Sequence, residues 1–563
     1  MNLYSLLEKG FPKDKKACAI ETQDGLLYSW SDVERATAMI ANLLKNLKLP
    51  KGSRIAVQVE KSPEALFLYL ATIRAGYVYL PLNTAYQAAE MQYFIENAEP
   101  ALVVCSSKNF AWVSKVAFKA GTKHVLTLDE NRTGSLLERS SVQSDKFKTV
   151  ATKDDDLAAI LYTSGTTGRS KGAMLTHKNL GSNAQVLQKF WGWKKGDVLL
   201  HALPIFHVHG LFVAAHGALI NGSKMIWLPR LDTAQLIHHM PNSTVMMGVP
   251  TFYVRLLADK GFTKTVARNM RLFVSGSAPL LTETFNTFKE VIGQPILERY
   301  GMSETVMLVS NPYKGSRVGG SVGLPLPGVK VRVIGDDNKL CGVNEIGNIQ
   351  VKGPNVFPGY WRMPEKTAEE FTKDGWFKTG DVGRWGGEAN GGKAPKEYLC
   401  IVGRSKDLII SGGYNVYPKE IESFIDDMDG VEESAVIGIP HPDFGEAVMA
   451  VVVPKAGAKL DSQAMIATLK TQIANFKIPK RLEIVADLPR NAMGKVQKNI
   501  LRQQYTVEKP NALRLSLNMK AARKNNMMPK TRLSWATSSF LANLAPKGAV
   551  KILTTTIQAT AGR

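Results

Sequence analysis

Along the first 150 residues, helical periods alternate with short apolar runs of β-forming residues. Residues 56–59 and 101–105 read as strands, and 63–74 as a helix with Ser62 at its N-cap and Pro63 in its first turn. Further strands are predicted at 157–162, 197–202, 225–228, 245–248 and 272–275. Strands alternating with helices imply layered α/β subdomains with largely parallel sheets. After Gly319 the pattern changes. Residues 329–334 and 347–352 alternate apolar and polar positions more strictly, which suits a smaller β subdomain. A boundary is expected near 404–407. Beyond it a compact α+β unit runs to about residue 505, with helices at 418–425 and 464–473 and strands at 433–438 and 447–453. The expected organisation is a large domain over 1–403, a small mobile C-terminal domain over 404–505 and a tail over 506–563.

Composition narrows this picture. A chain of 563 residues is too long for a single core. Its 44% hydrophobic and 21% charged residues are ordinary for a globular protein. No apolar run reaches the roughly 18 residues that cross a bilayer. The N-terminal stretch has no basic segment followed by an apolar one, and reads as neither a signal nor a transit peptide. Cys18, Cys105, Cys341 and Cys400 form no C-x-x-C pair. They fit free thiols in a reducing compartment, and a cytoplasmic location is expected. His207 and His209 alone are weak evidence for a metal.

The net charge of +22 invites a nucleic-acid or membrane partner. Its distribution weakens that reading. From Thr506 onward ten basic residues face one acidic residue. This tail has no sustained periodicity and no recognition fold beside it, so it is expected to be disordered and no nucleic-acid partner is expected. A nucleic-acid-binding protein acting through the tail remains the alternative from another class. The positive field left on the rest of the chain suits an enzyme that gathers anions.

The most informative segment is Leu161-Tyr-Thr-Ser-Gly-Thr-Thr-Gly-Arg-Ser-Lys-Gly-Ala-Met174. Thr163, Ser164, Thr166 and Thr167 stand between Gly165 and Gly168, and Lys171 lies near the end. Such a loop offers hydroxyls, close-approach backbone N–H groups and one cation to a phosphate chain. It is not a Walker A motif, because Gly165 and Gly168 are three apart and Lys171 is followed by Gly172. Downstream come Arg299-Tyr-Gly-Met-Ser-Glu304, Trp376-Phe-Lys-Thr-Gly-Asp381, Gly403-Arg-Ser-Lys-Asp407, Gly412-Gly-Tyr-Asn-Val-Tyr-Pro-Lys-Glu420 and Pro489-Arg-Asn-Ala-Met-Gly-Lys495.

This ordered set resembles the adenylate-forming, AMP-binding enzymes: acyl-CoA synthetases, firefly-type luciferases and peptide-synthetase adenylation domains. The resemblance covers roughly residues 1–505. It implies activation of a carboxylate by ATP to an acyl-adenylate, then transfer to the thiol of coenzyme A. On the matching positions it implies that the 163–171 loop cradles the β- and γ-phosphates and that Glu304 holds Mg²⁺. It places Ser303 at the α-phosphate, where the family usually has threonine. Ser277, Ala278 and Pro279, with Glu298, Arg299, Tyr300 and Gly301, resemble the walls of the adenine pocket. Asp381 would bind the ribose hydroxyls, with Arg404 in support. Lys495 matches the catalytic lysine and Lys406 the hinge. Ser411, Gly412, Gly413 and Tyr414 match the coenzyme A tunnel.

The acid is read from a narrower resemblance. Residues 202–212, 247–257, 272–280, 298–304 and 311–313 look like malonyl-CoA synthetases. A second, non-reacting carboxylate then needs a cation, and Arg255, one turn into a helix opening near Pro250, is the candidate. His209 and Ser277 would assist it, with His209 also near the chemistry. Val208 and Met307 would limit bulk at the α-carbon and set malonate against methylmalonate. A ligase for another short or aromatic acid would share every nucleotide motif. Two segments depart from the family: the tail, and the glycine-rich 386–396, which reads as a lengthened, mobile hairpin loop.

Overall fold

The structure is a computed structural model that describes residues 1–163, 170–389, 392–411, 414–441, 445–473, 475–491 and 494–506. Ser164, Gly165, Thr166, Thr167 and Gly168 of the phosphate-type loop, Gly412 and Gly413, and the tail from residue 507 lie outside them. Met1–Arg502 forms one compact unit. The second unit, Gln503–Arg563, is described only to Thr506, where it ends the helix Lys498–Thr506.

Two large sheets carry most of the chain. In the six-stranded sheet, parallel neighbours include Arg54–Gln58 flanked by Val78–Pro81 and Leu102–Cys105. Lys171–Thr176 closes one edge antiparallel to Leu157–Thr163. The phosphate-type loop therefore joins two strands of a hairpin and does not lead into a helix. In the nine-stranded sheet, Val198–His201 lies between Lys224–Trp227 and Val245–Gly248, all parallel. Leu272–Ser275 and Leu297–Met302 continue the parallel run. The other flank is Cys18–Thr22, whose Ile20 pairs with Met225.

The β subdomain is a four-stranded antiparallel sheet of Lys330–Ile334, Gly347–Lys352, Phe377–Ala389 and Gly392–Arg404. Here the structure corrects one expectation. The segment 386–396 is not an open loop, because the hairpin stays paired out to Ala389 and Gly392. Backbone pairing of 13-residue strands outweighs the flexibility that its glycines suggested. The small domain packs the helices Pro418–Asp426 and Ser462–Gln472 on a sheet whose longest strands are Val431–His441 and Gly445–Pro454.

Pro63–Arg74 forms as its punctuation predicts. Ser62 Oγ accepts the Ala65 N–H, and Pro63 opens the helix. Every residue of this helix is buried, and it packs on the helix Trp30–Asn46. Ser62→Ala leaves a donor at a buried helix start unmet. It is expected to destabilise the fold by about 1 kcal/mol, read as a lowered Tm in calorimetry. An unchanged Tm would show that the cap contributes nothing here.

Candidate active site

The turn 303–305 joins the antiparallel strands Leu297–Met302 and Val306–Ser310. Gly301 makes it possible, since a Cβ there would lie 1.9 Å from the Val306 carbonyl oxygen. Glu304 is buried on this turn and accepts the Tyr360 hydroxyl at 3.0 Å. Burial holds its carboxyl above the usual carboxylate range. The ring of Tyr360 also carries Lys171 Nζ 4.5 Å from its centre. Lys171 reaches Glu370 at 3.4 Å. One phenol thus connects the cation beside the phosphate-type loop to the buried carboxylate. Tyr360 stands in a generic Pro-Gly-Tyr run, and nothing local in the sequence singled it out.

A second cluster sits where the long hairpin leaves the β subdomain. Asp381 and Arg404 are partners across its two strands. Arg404 Nε lies 3.1 Å from Asp381 Oδ1, and Tyr300 donates to Oδ2 at 2.6 Å. Thr379 Oγ1 accepts the Asp381 N–H at 3.1 Å. Ser405, next to Arg404, donates to the Gly380 carbonyl at 3.0 Å. Lys406 follows, its ammonium brought down to about 8 by burial and by Arg404.

A third cluster lies at the ends of Leu272–Ser275 and Val198–His201. Ser277 takes a left-handed φ of 73°, a strained conformation for a residue with a Cβ. Its Oγ lies 3.3 Å from His209 Nδ1. His209 opens a π-helical segment, His209–Ala215. The imidazole is buried, and burial with the nearby Arg299 keeps it far below its ordinary range, hence neutral. Its Nε2 has no hydrogen-bond partner among the described residues.

Arg299 changes the picture most. It is 3% exposed, and its Nε and Nη2 have no partner among the described residues. The guanidinium packs on Gly276, where a Cβ would lie 2.4 Å from its central carbon. Burial brings this arginine down to about 9. The adjacent Glu298 does not neutralise it, because neighbouring strand residues face opposite sides. Glu298 accepts the Leu280 N–H at 3.2 Å, and burial pushes its carboxyl up to about 7.

Lys495 meets these clusters from the small domain. It follows Gly494, whose φ is 74°, and its own N–H donates to Asn491 Oδ1 at 3.0 Å. Burial and then Arg404 bring its ammonium down to about 8. Asp381, Arg299 and Glu304 are its other charged neighbours. The structure therefore brings together Lys495, Arg404, Asp381, Tyr300, Arg299, Glu304 and His209, drawn from sequence positions nearly 300 apart.

The remaining candidates sit around this centre. Val208 and Met307 are buried. Ala278 and Ser303 are half-buried and Pro279 is exposed. Ser411 and Tyr414 pair in a small hairpin. Arg255 is exposed and lies toward the C-terminal end of the helix Pro250–Ala258, not in its first turn.

Comparison with known proteins agrees with this assembly. The profile of the family described as AMP-binding enzyme matches residues 8–361, and that of the AMP-binding enzyme C-terminal domain matches 420–495. The malonate–CoA ligase of Arabidopsis thaliana is 36% identical over 485 residues, covering 80% of this chain and 78% of that protein. ATP-bound MatB from Rhodopseudomonas palustris superposes with a TM-score of 0.86 at 51% identity, covering 90% of this chain and 99% of the other. Apo MatB from the same organism, at the same identity and coverage, gives 0.77. Because sequence is constant in that pair, the difference is one of conformation, and this chain lies nearer the ATP-bound form. With a family profile matching well over half of its length, the chain belongs to the AMP-binding enzyme family.

Proposed function

We propose that the protein is an AMP-forming ligase that joins malonate to coenzyme A. One malonate carboxylate attacks the α-phosphorus of ATP, forming malonyl-adenylate and releasing pyrophosphate. The thiolate of coenzyme A then attacks the acyl carbon, and AMP departs with the bonding electron pair. ATP and coenzyme A are the substrates that the family uses.

The observation that carries the choice of acid is Arg299, a buried guanidinium with two unpaired N–H groups. A desolvated cation without a counter-charge costs several kcal/mol. A second substrate carboxylate would remove that cost, and a fatty acid has none to offer. His209 supports the same end of the acid. With Ser277 donating to Nδ1, the neutral ring carries its proton on the unpaired Nε2, ready for a carboxylate oxygen. Arg255, being exposed, suits a contribution at the rim.

The other groups fit the nucleotide. Asp381 has two oxygens for two ribose hydroxyls, with Arg404 and Tyr300 holding its orientation. Lys495 brings a cation to the reacting carboxylate and the α-phosphate, where negative charge grows. Glu304 suits Mg²⁺, because its carboxylate is a hard oxygen ligand that burial has left short of positive charge. Bound there, the ion would neutralise phosphate charge. Residues 404–505 act as the mobile small domain in this scheme, with Lys406 as pivot.

The decisive assay is coenzyme A-dependent AMP release with malonate, methylmalonate, succinate, acetate, a medium-chain fatty acid and a cinnamate. Malonate is expected to dominate. Arg299→Met should lower kcat/KM for malonate by about 10²–10³-fold, and Arg255→Ala by less. A wild type preferring the fatty acid or cinnamate would sink the malonate reading and leave the ligase. Arg299→Met should also raise Tm in the free enzyme, because an apolar chain replaces a desolvated cation. A lower Tm would mean that the guanidinium is satisfied by the fold.

Lys495 gives a pH prediction. Its ammonium is charged below about 8 and neutral above, so kcat/KM for adenylation should fall as pH rises through about 8. Bound ATP favours the ammonium, so the same limb in kcat should lie higher. Lys495→Arg should be slow but lack the limb. A limb unchanged in that variant would assign it to another group.

A further inference from the structure

Lys61 lies far from every motif, between the strand Arg54–Gln58 and the helix Pro63–Arg74. It is 8% exposed and makes no ion pair with a described residue. Its three ammonium protons meet three acceptors: His201 Nδ1 at 2.9 Å, the His201 carbonyl at 2.8 Å and the Leu228 carbonyl at 2.6 Å. Nζ also stands 4.5 Å from the centre of the Trp227 ring. A lysine has no acceptor, so His201 Nδ1 must accept, and the ring proton is left on Nε2. Nε2 lies 2.9 Å from the Gly210 carbonyl oxygen, which can only accept. The hydrogen-bond set thus fixes one tautomer and one ring orientation.

Gly210 is the second residue of the π-helical segment His209–Ala215. A π-helical turn widens the backbone ladder and opens carbonyls to outside donors. There is no slack on the other side of this turn, since a Cβ at Gly210 would lie 2.1 Å from the Pro204 carbonyl oxygen. The turn is therefore held between the 202–208 loop and the His201 ring. It sets the direction of the His209 imidazole toward Ser277 and the depth of the buried Val208.

We infer that Lys61 and His201 are positioning residues for the acid pocket, acting through the Gly210 carbonyl on His209 and Val208. Neither touches substrate. Lys61 comes from a loop of the six-stranded sheet and reaches the C-terminal ends of two parallel strands of the nine-stranded sheet, where ligands of open α/β sheets bind. It offers a direct reason for a buried cation here: it sets the tautomer that aims the acid-binding imidazole. The inference rests on the proposed function for the identity of the acid alone.

The test compares KM values for malonate and for ATP in Lys61→Met, His201→Phe and His201→Gln. Glutamine keeps a donor and an acceptor, and phenylalanine keeps only the bulk. Lys61→Met and His201→Phe are expected to raise the malonate KM about tenfold or more, with the ATP KM within about twofold of wild type. His201→Gln should restore most of the loss. If both KM values rise together, or if Tm falls with neither KM changed, the pair is a structural tie only and the inference is overturned. Should Lys61→Met fail to fold, the Phe and Gln variants decide, and equal malonate KM values for those two overturn it. Should wild type activate a different acid, the malonate reading falls, and the same KM comparison is made with that acid.

Discussion

Removing a cation from water without giving it an anion is among the costliest arrangements a fold can hold, and this site is organised around that cost. Arg299 is desolvated with two N–H groups unmet, and Lys495 faces Arg404 and Arg299 across the same space. Burial holds Glu304 and Glu298 upward, so the carboxylates within reach are poor partners. The result is a cavity short of negative charge. ATP and a dicarboxylate supply several negative charges between them, so the free-energy cost carried by the empty protein returns as selective affinity. Only Asp381 is answered within the protein, by Arg404 and Tyr300, and its proposed partner is a neutral ribose.

The three clusters depend on where the sheets end. Tyr300 and Arg299 occupy adjacent positions of one strand and face opposite sides, so one reaches Asp381 while the other reaches the His209 cluster. Glu304 follows on the turn, five residues after Arg299. A shift of one residue in this strand would exchange the two faces and dismantle both clusters. The close approach at Gly301 fixes that register.

Much of the fold was legible because its signals are local. The helix Pro63–Arg74 announces itself through Ser62 and Pro63, and Val245–Gly248, Leu272–Ser275 and Gly347–Lys352 appear at the bounds their apolar runs predict. Of the candidate site, the ordered motifs gave the residues, and the predicted contact of Ser277 with His209 is present. What stayed hidden is relational. Nothing near Ile20 names Met225 as its neighbour. The pairing of Tyr360 with Glu304 and of Lys61 with His201 joins positions 56 and 140 residues apart. Arg299 was grouped with the nucleotide because its motif is, and only burial showed that its head is unanswered. Arg255 drew attention as a helix cation, yet exposure is invisible in a short helix with an irregular apolar face.

The long hairpin that holds Asp381 and Arg404 at its base stays paired out to Ala389 and Gly392. Eight residues of strand separate Asp381 from Ala389, a reach of roughly 25 Å at about 3.3 Å per residue. The tip is thus a site where length can vary without displacing the base, since added residues extend the ladder outward. It is a natural port for grafting a fluorophore or a foreign domain, and strain at the base would report such a graft as altered nucleotide affinity.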